Sequence, residues 1–165
     1  MGQDVYLDKY GEIIMKKFSL LVALFLLTAS FAGAYDKVMA ESYAQYFKPF
    51  SEKATAKSLH MVKTADFVKD VRVGKLFVID IRTPGETGIY GITIPESVAI
   101  PMDQIFKPEN LANLPTQGKI VIVCKAGHRS MAVSTALRHI GFNNVYSLKL
   151  GIQDLAKYLS PKTAY

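Results

Sequence analysis

The stretch Ile120-Val121-Ile122-Val123-Cys124-Lys125-Ala126-Gly127-His128-Arg129-Ser130, running on through Met131 to Ile140, decides how the chain folds. It opens as an apolar, β-branched run. A short bounded run of that kind suits a strand buried on both faces. A polar loop containing Gly127 follows. Met131, Ala132, Thr135, Ala136, Leu137 and Ile140 then recur at helical spacing until Gly141 ends the pattern. The order strand, tight loop, helix puts Cys124, the single cysteine of the chain, where a strand ends. In open parallel α/β sheets, ligands bind beyond the carboxyl ends of the strands. Loop amides backed by a helix N-terminus attract an anion, and a thiolate is one, so this setting lowers a thiol's pKa. A cysteine inside a core strand is inert packing instead. The loop that follows Cys124 is what argues for chemistry.

Outward from this unit the same alternation recurs. Residues 76–81 read as a second buried strand, and Pro84-Gly85 beyond it as a turn. Residues 59–62 read as a short first strand. Thr64 reads as the N-cap of a helix carrying Phe67, Val68 and Val71, ended by Gly74. Residues 98–100 form a short strand, 108–114 a helix opened by proline, and 144–148 a last strand before a helix that starts at Gly151. Strands alternating with helices predict an α/β fold, a three-layer sandwich with a mainly parallel central sheet. No internal repeat is present.

The loop from Cys124 to Ser130, with its strand and helix, resembles the active-site loop of the rhodanese family of sulfurtransferases. Related phosphatases and arsenate reductases place the arginine six positions after the cysteine, in a wider loop. Here Arg129 follows Cys124 by five, which is similar to the tighter sulfurtransferase loop. The resemblance extends over residues 59–159. Asp80-Ile81-Arg82, ahead of Glu86, resembles the family's Asp-x-Arg signature and implies that Asp80 and Arg82 hold the loops around the site. The alternative for that pair is an ordinary surface ion pair. Residues 91–101 resemble the family's Gly-His-Ile-Pro-Gly-Ala segment but depart from it. Ile92 or Thr93 stands at the histidine position, one residue is extra, and Glu96-Ser97 replace Gly-Ala. Gly151-Ile152-Gln153-Asp154-Leu155 resembles the closing Gly-rich turn and helix, with Tyr158 for the usual aromatic.

The resemblance implies sulfur transfer through a covalent intermediate. Cys124 takes sulfur from a small-molecule sulfane donor such as thiosulfate or polysulfide, and an external thiol or cyanide removes it. The amides of Lys125, Ala126, Gly127, His128, Arg129 and Ser130 stabilise the persulfide. No second cysteine exists to receive the sulfur internally. Lys125 and Arg129 either draw an anionic donor or are solvated charges. His128 either titrates near neutrality in the reaction or faces solvent. His139, late in the helix, complements the dipole, and His60 reads as structural or exposed. A second reading is a non-enzymatic module of the same fold that binds or carries a sulfur species or a protein partner. A hydrolase acting on phosphate or arsenate fits the short loop poorly. No cofactor is implied, and one Cys with three dispersed His gives no metal-ligand spacing.

The N-terminus carries a second message. Lys16-Lys17 precede an apolar run over 18–31, and Ala32-Gly33-Ala34 is small at both key positions. Basic start, apolar stretch and A-x-A site predict a secretory signal over 1–34, cleaved to leave Tyr35. Residues 1–14 are a polar leader foreign to such signals, and Met15-Lys16-Lys17 is a normal start, so Met15 reads as an initiator. The run is shorter than the roughly 20 residues of a spanning helix, which leaves an uncleaved signal as the one membrane contact. The expected location is the periplasm or outside the cell. Residues 35–58 read as an amphipathic helix bearing Tyr43, Tyr46, Phe47 and Phe50, then a connector from 51, and 59–165 as the rhodanese-like domain. Half of the 165 residues are hydrophobic, enough for one core. The net charge of +6 is scattered, with no basic cluster interleaved with aromatics, which argues against nucleic acid. In an oxidising compartment a lone cysteine offers neither an internal disulfide nor a C-x-x-C pair. Oligomeric state is not legible.

Overall fold

A computed structural model describes residues 14, 15, 17, 35–50 and 55–162. The apolar run and cleavage site of the expected signal, at 18–34, lie outside the described residues, as do residues 51–54 of the connector. The chain divides into two compact units, Met1–Gln45 and Tyr46–Tyr165. Most of helix α1, Lys37–Phe47, belongs to the first. Asp36 starts that helix by accepting a 3.0 Å hydrogen bond from the Met39 amide. In the second unit Tyr46, near the end of α1, contacts two residues far along the chain. Tyr46 Oη accepts from Arg138 Nε at 3.1 Å, and its ring lies edge-on to His139.

After the short helix α2 (Thr55–Ser58), the second unit runs β1 (Met61–Val62), α3 (Thr64–Arg72), β2 (Leu76–Asp80), α4 (Pro84–Ile89) and β3 (Ser97–Ala99). It continues with α5 (Pro108–Ala112), β4 (Lys119–Val123), α6 (His128–His139), β5 (Val145–Leu148) and α7 (Gly151–Tyr158). The five strands form one sheet in the order β1-β5-β4-β2-β3, with every pair parallel. Period-two alternation sorts the strand residues into two cores. Leu76, Val78, Val121 and Val123 face Phe67 and Val68 of α3 and Ile152 and Leu155 of α7. Ile79, Ile81, Ile120, Ile122 and Cys124 face Ile105, Leu114, and Val133 and Leu137 of α6. Helices therefore cover both faces of the sheet, as the three-layer expectation requires. Each fully buried Ile or Leu contributes about 1.5–3 kcal/mol. The run in β4 is central and closed to solvent, and its residues are accordingly apolar from Ile120 to Val123.

Three local features differ from what the sequence predicts. Thr64 is not an N-cap: Lys63 holds that position without a side-chain bond. Thr64 is the first helical residue, and its buried hydroxyl donates to the Asp154 carboxylate in α7. A tertiary partner has taken the group that a local cap would use. Pro84-Gly85 is not a loop turn but the first turn of α4. Thr83 caps it in a reciprocal box, accepting from the Glu86 amide while the Glu86 carboxylate accepts from the Thr83 amide at 3.0 Å. Proline fits there because the first helical N–H has no intrahelical partner to lose. The connector is likewise partly helical, since α2 occupies its end.

Candidate active site

Cys124 follows directly on β4, whose Val123 sits in register with Asp80 of β2. Two backbone bonds fix the start of the loop. The Ile152 amide donates to Cys124 O at 2.8 Å and the Gln153 amide to Lys125 O at 3.1 Å, so the first turn of α7 holds both carbonyls. This close approach demands glycine at 151. Its φ is +62°, and a Cβ there would collide with the carbonyl oxygens of Cys124 and Lys125. Gly127, at φ +93°, turns the chain into α6, and a Cβ on it would lie 2.9 Å from the Leu150 nitrogen.

The loop closes around the sulfur. The Gly127 amide donates to Cys124 Sγ at 3.2 Å and the Ser130 amide at 3.3 Å, with Ser130 Oγ 3.5 Å away. Burial, the largest single influence on this thiol, raises its pKa. Hydrogen bonds from the Ser130 hydroxyl and from the amides of Ser130, Ala126 and Gly127 outweigh it, and the net shift is downward. Cys124 is only 1% exposed, so the sulfur is surrounded by these donors rather than by water. The one Ser130 hydroxyl proton serves either the sulfur or Gly127 O, 2.9 Å away, and in both cases Ser147 Oγ of β5, 2.9 Å off, can donate to Ser130 Oγ. Ser147 is buried and had no signal in the sequence, because its role exists only through the parallel pairing of β5 with β4.

Arg129 is paired with a carboxylate. Its guanidinium makes two bonds to Glu86, 2.9 Å from Nη1 to Oε2 and 2.7 Å from Nη2 to Oε1, with both side chains about one-third exposed. The Arg129 bonds, then those from Thr83, hold the Glu86 carboxyl at a pKa of about 2. Arg129 in turn is held above its usual range, first by Glu86 and also by the Cys124 sulfur. Asp80 and Arg82 are not a surface pair. Each side chain is 4% exposed, and Arg82 grips both carboxylate oxygens, at 2.6 Å from Nη2 and 2.9 Å from Nε. A further bond, 2.7 Å from Arg82 Nη2 to Tyr90 O, ties the pair to the segment after α4. Lys125 and His128 are exposed, and Ala126 is half-buried. The structure thus brings Cys124, Gly127, Ser130 and Arg129 together and adds Glu86 and Ser147. Glu86 carried a legible sign, the Thr-x-x-Glu capping box.

A family model described as a rhodanese-like domain matches residues 63–158. Over 87 residues the chain is 37% identical to a probable adenylyltransferase/sulfurtransferase, MoeZ, of Mycobacterium tuberculosis, a match that covers 53% of this chain and 22% of MoeZ. It thus spans about a fifth of that relative's length. A sulfurtransferase of Allochromatium vinosum is 33% identical over 89 residues, 54% of this chain and 79% of the relative. Among solved structures, a rhodanese-related protein from Thermoplasma volcanium superposes with a TM-score of 0.53 at 24% identity, covering 62% of this chain and 95% of the other. That likeness concerns the fold.

Proposed function

The chain belongs to the rhodanese-like domain family, and from that premise we propose that it is a sulfurtransferase that carries sulfane sulfur as a persulfide on Cys124. The observation that carries this reading is the convergence of the Gly127 and Ser130 amides on the sulfur of the chain's one cysteine. Such donors favour the thiolate, which is the nucleophile. The thiolate attacks the outer sulfur of thiosulfate. The S–S bond of the donor breaks, its electron pair leaves with sulfite, and Cys124 keeps the sulfane sulfur. The negative charge now rests on the outer sulfur, still within reach of N–H donors already fixed by the fold. A thiol or cyanide then attacks that sulfur, and the electron pair of the cleaved bond returns to Cys124 Sγ. Relatives named as sulfurtransferases support the assignment.

Protein incubated with thiosulfate is expected to gain one sulfur atom by intact mass and to lose it to cyanide. Unchanged mass across several sulfane donors would overturn the reading in favour of a non-enzymatic binding module. Arg129→Ala is expected to load severalfold more slowly near neutral pH. Its loss removes a cation facing the sulfur, the thiol pKa rises, and less thiolate is present. The deficit should close as pH rises above the thiol pKa. A deficit that persists there would assign Arg129 to attracting the donor instead.

We further propose that the protein acts outside the cytoplasm, after cleavage behind Ala34. The support is the Lys16-Lys17, apolar run and Ala-Gly-Ala order. Protein recovered from its own cell is expected to begin at Tyr35 on N-terminal sequencing. Cytoplasmic protein that retains Lys16-Lys17 would contradict this.

A further inference from the structure

Gly91 to Ile94, in the segment that departs from the family pattern, form a wall of a cavity that Cys124 does not line. This cavity of about 280 Å³ opens between α3, α7 and that segment. Val68 and Val71 line it from α3, Ile92 and Ile94 from the segment, and Ile152 and Leu155 from α7. Ile92 and Ile94 pack on the core of that face, so the altered segment presents apolar side chains to the cavity.

The cavity has a direction. The bond from Thr64 to Asp154 sets the first turns of α3 and α7 side by side. From there both helices run away from the catalytic loop, because Ile152, at the start of α7, bonds to Cys124 O. Arg72, eight residues beyond Thr64, and Leu159, seven beyond Ile152, therefore lie at the far end, roughly 10–12 Å down the helices. Arg72 lines the cavity there, is exposed, and has no carboxylate partner among the described residues. Tyr90 and Ile152 close the near end and also line the adjoining cleft that contains Lys125 and Glu86.

We propose that this cavity is a binding site for a small amphipathic acid, with its apolar chain between α3, α7 and the Ile92–Ile94 wall and its anionic head at Arg72. The walls are apolar and pre-formed, as small-molecule sites are. The only charged side chain among those lining it is Arg72, a cation without a carboxylate partner among the described residues, and the length of the helices sets that of the chain. Because the site does not use Cys124, it stands or falls independently of sulfur transfer.

The test is titration of the whole protein with octanoate, followed by backbone amide NMR. Acetate serves as the head without the chain and octylamine as the chain with the opposite charge. Octanoate is expected to bind saturably and to shift the amides of Ile92, Ile94 and Leu155, while acetate and octylamine leave them in place. Thr93→Trp, at an exposed position lining the cavity, should fill it and abolish binding. Arg72→Gln should weaken binding by about fivefold, as expected for an exposed ion pair. Unchanged thermal melting of both variants shows that they remain folded. The proposal is overturned if wild-type protein does not bind octanoate, if octylamine binds as well, or if Thr93→Trp binds like wild type.

Discussion

Replacing Cys124 with serine is expected to abolish sulfur uptake and to lower thiosulfate turnover by on the order of 10⁴-fold or more. The loop stabilises an anion, and a serine hydroxyl stays protonated in this cradle at neutral pH. The Gly127 and Ser130 amides would then face a neutral oxygen with nothing to transfer. Stability should change little. Serine is close to cysteine in shape, and its hydroxyl can donate to Ser130 Oγ, where Cys124 Sγ now lies 3.5 Å away. Intact mass after incubation with thiosulfate, together with a melting curve, separates lost chemistry from lost fold. A folded Cys124→Ser protein that still gains sulfur or turns over thiosulfate would show that the nucleophile lies elsewhere.

The parts of the site that could be read from sequence are those specified by one contiguous stretch. The β-branched run, Cys124, Gly127 and the helical spacing after it are local and specify the strand, turn and helix that carry the amides, while the hold of α7 on the loop carbonyls comes from distant residues. The remaining parts depend on strand order. Glu86 lies 43 residues before Arg129, and Ser147 lies 17 after Ser130. Nothing in either residue's own neighbourhood states that pairing. It appears once β2 and β5 flank β4. Thr64 shows the same effect in reverse, since a strong local cap signal yielded to Asp154, 90 residues away. The Pro84-Gly85 reading had a different cause. Pro-Gly has a turn propensity of its own, and the Thr83–Glu86 box overrides it by placing proline at the first helical position. Leu150, at φ +62°, adopts a left-handed conformation that no leucine announces.

Arg82→Met is expected to lower the unfolding free energy by about 3–5 kcal/mol, the range for removing one partner of a buried ion pair. The substitution keeps much of the side-chain volume but leaves the Asp80 carboxylate 4% exposed without its counter-charge. It also removes the donor to Tyr90 O, so the segment after α4 loses its tie to β2. For a domain of this size a shift of about 10 °C in melting temperature should accompany the loss. Replacing both partners, Arg82→Met with Asp80→Leu, should recover a large part of the deficit, because no unpaired charge remains buried. The recovery should be incomplete, since Tyr90 O still lacks a donor. Urea unfolding of the wild type, both single variants and the double variant closes the cycle. If Arg82→Met alone costs under about 1 kcal/mol, as an exposed pair would, then Asp80 and Arg82 do not hold the loops beside Cys124. If the double variant is no better than the single, the penalty comes from the lost bond to Tyr90 and not from a stranded charge.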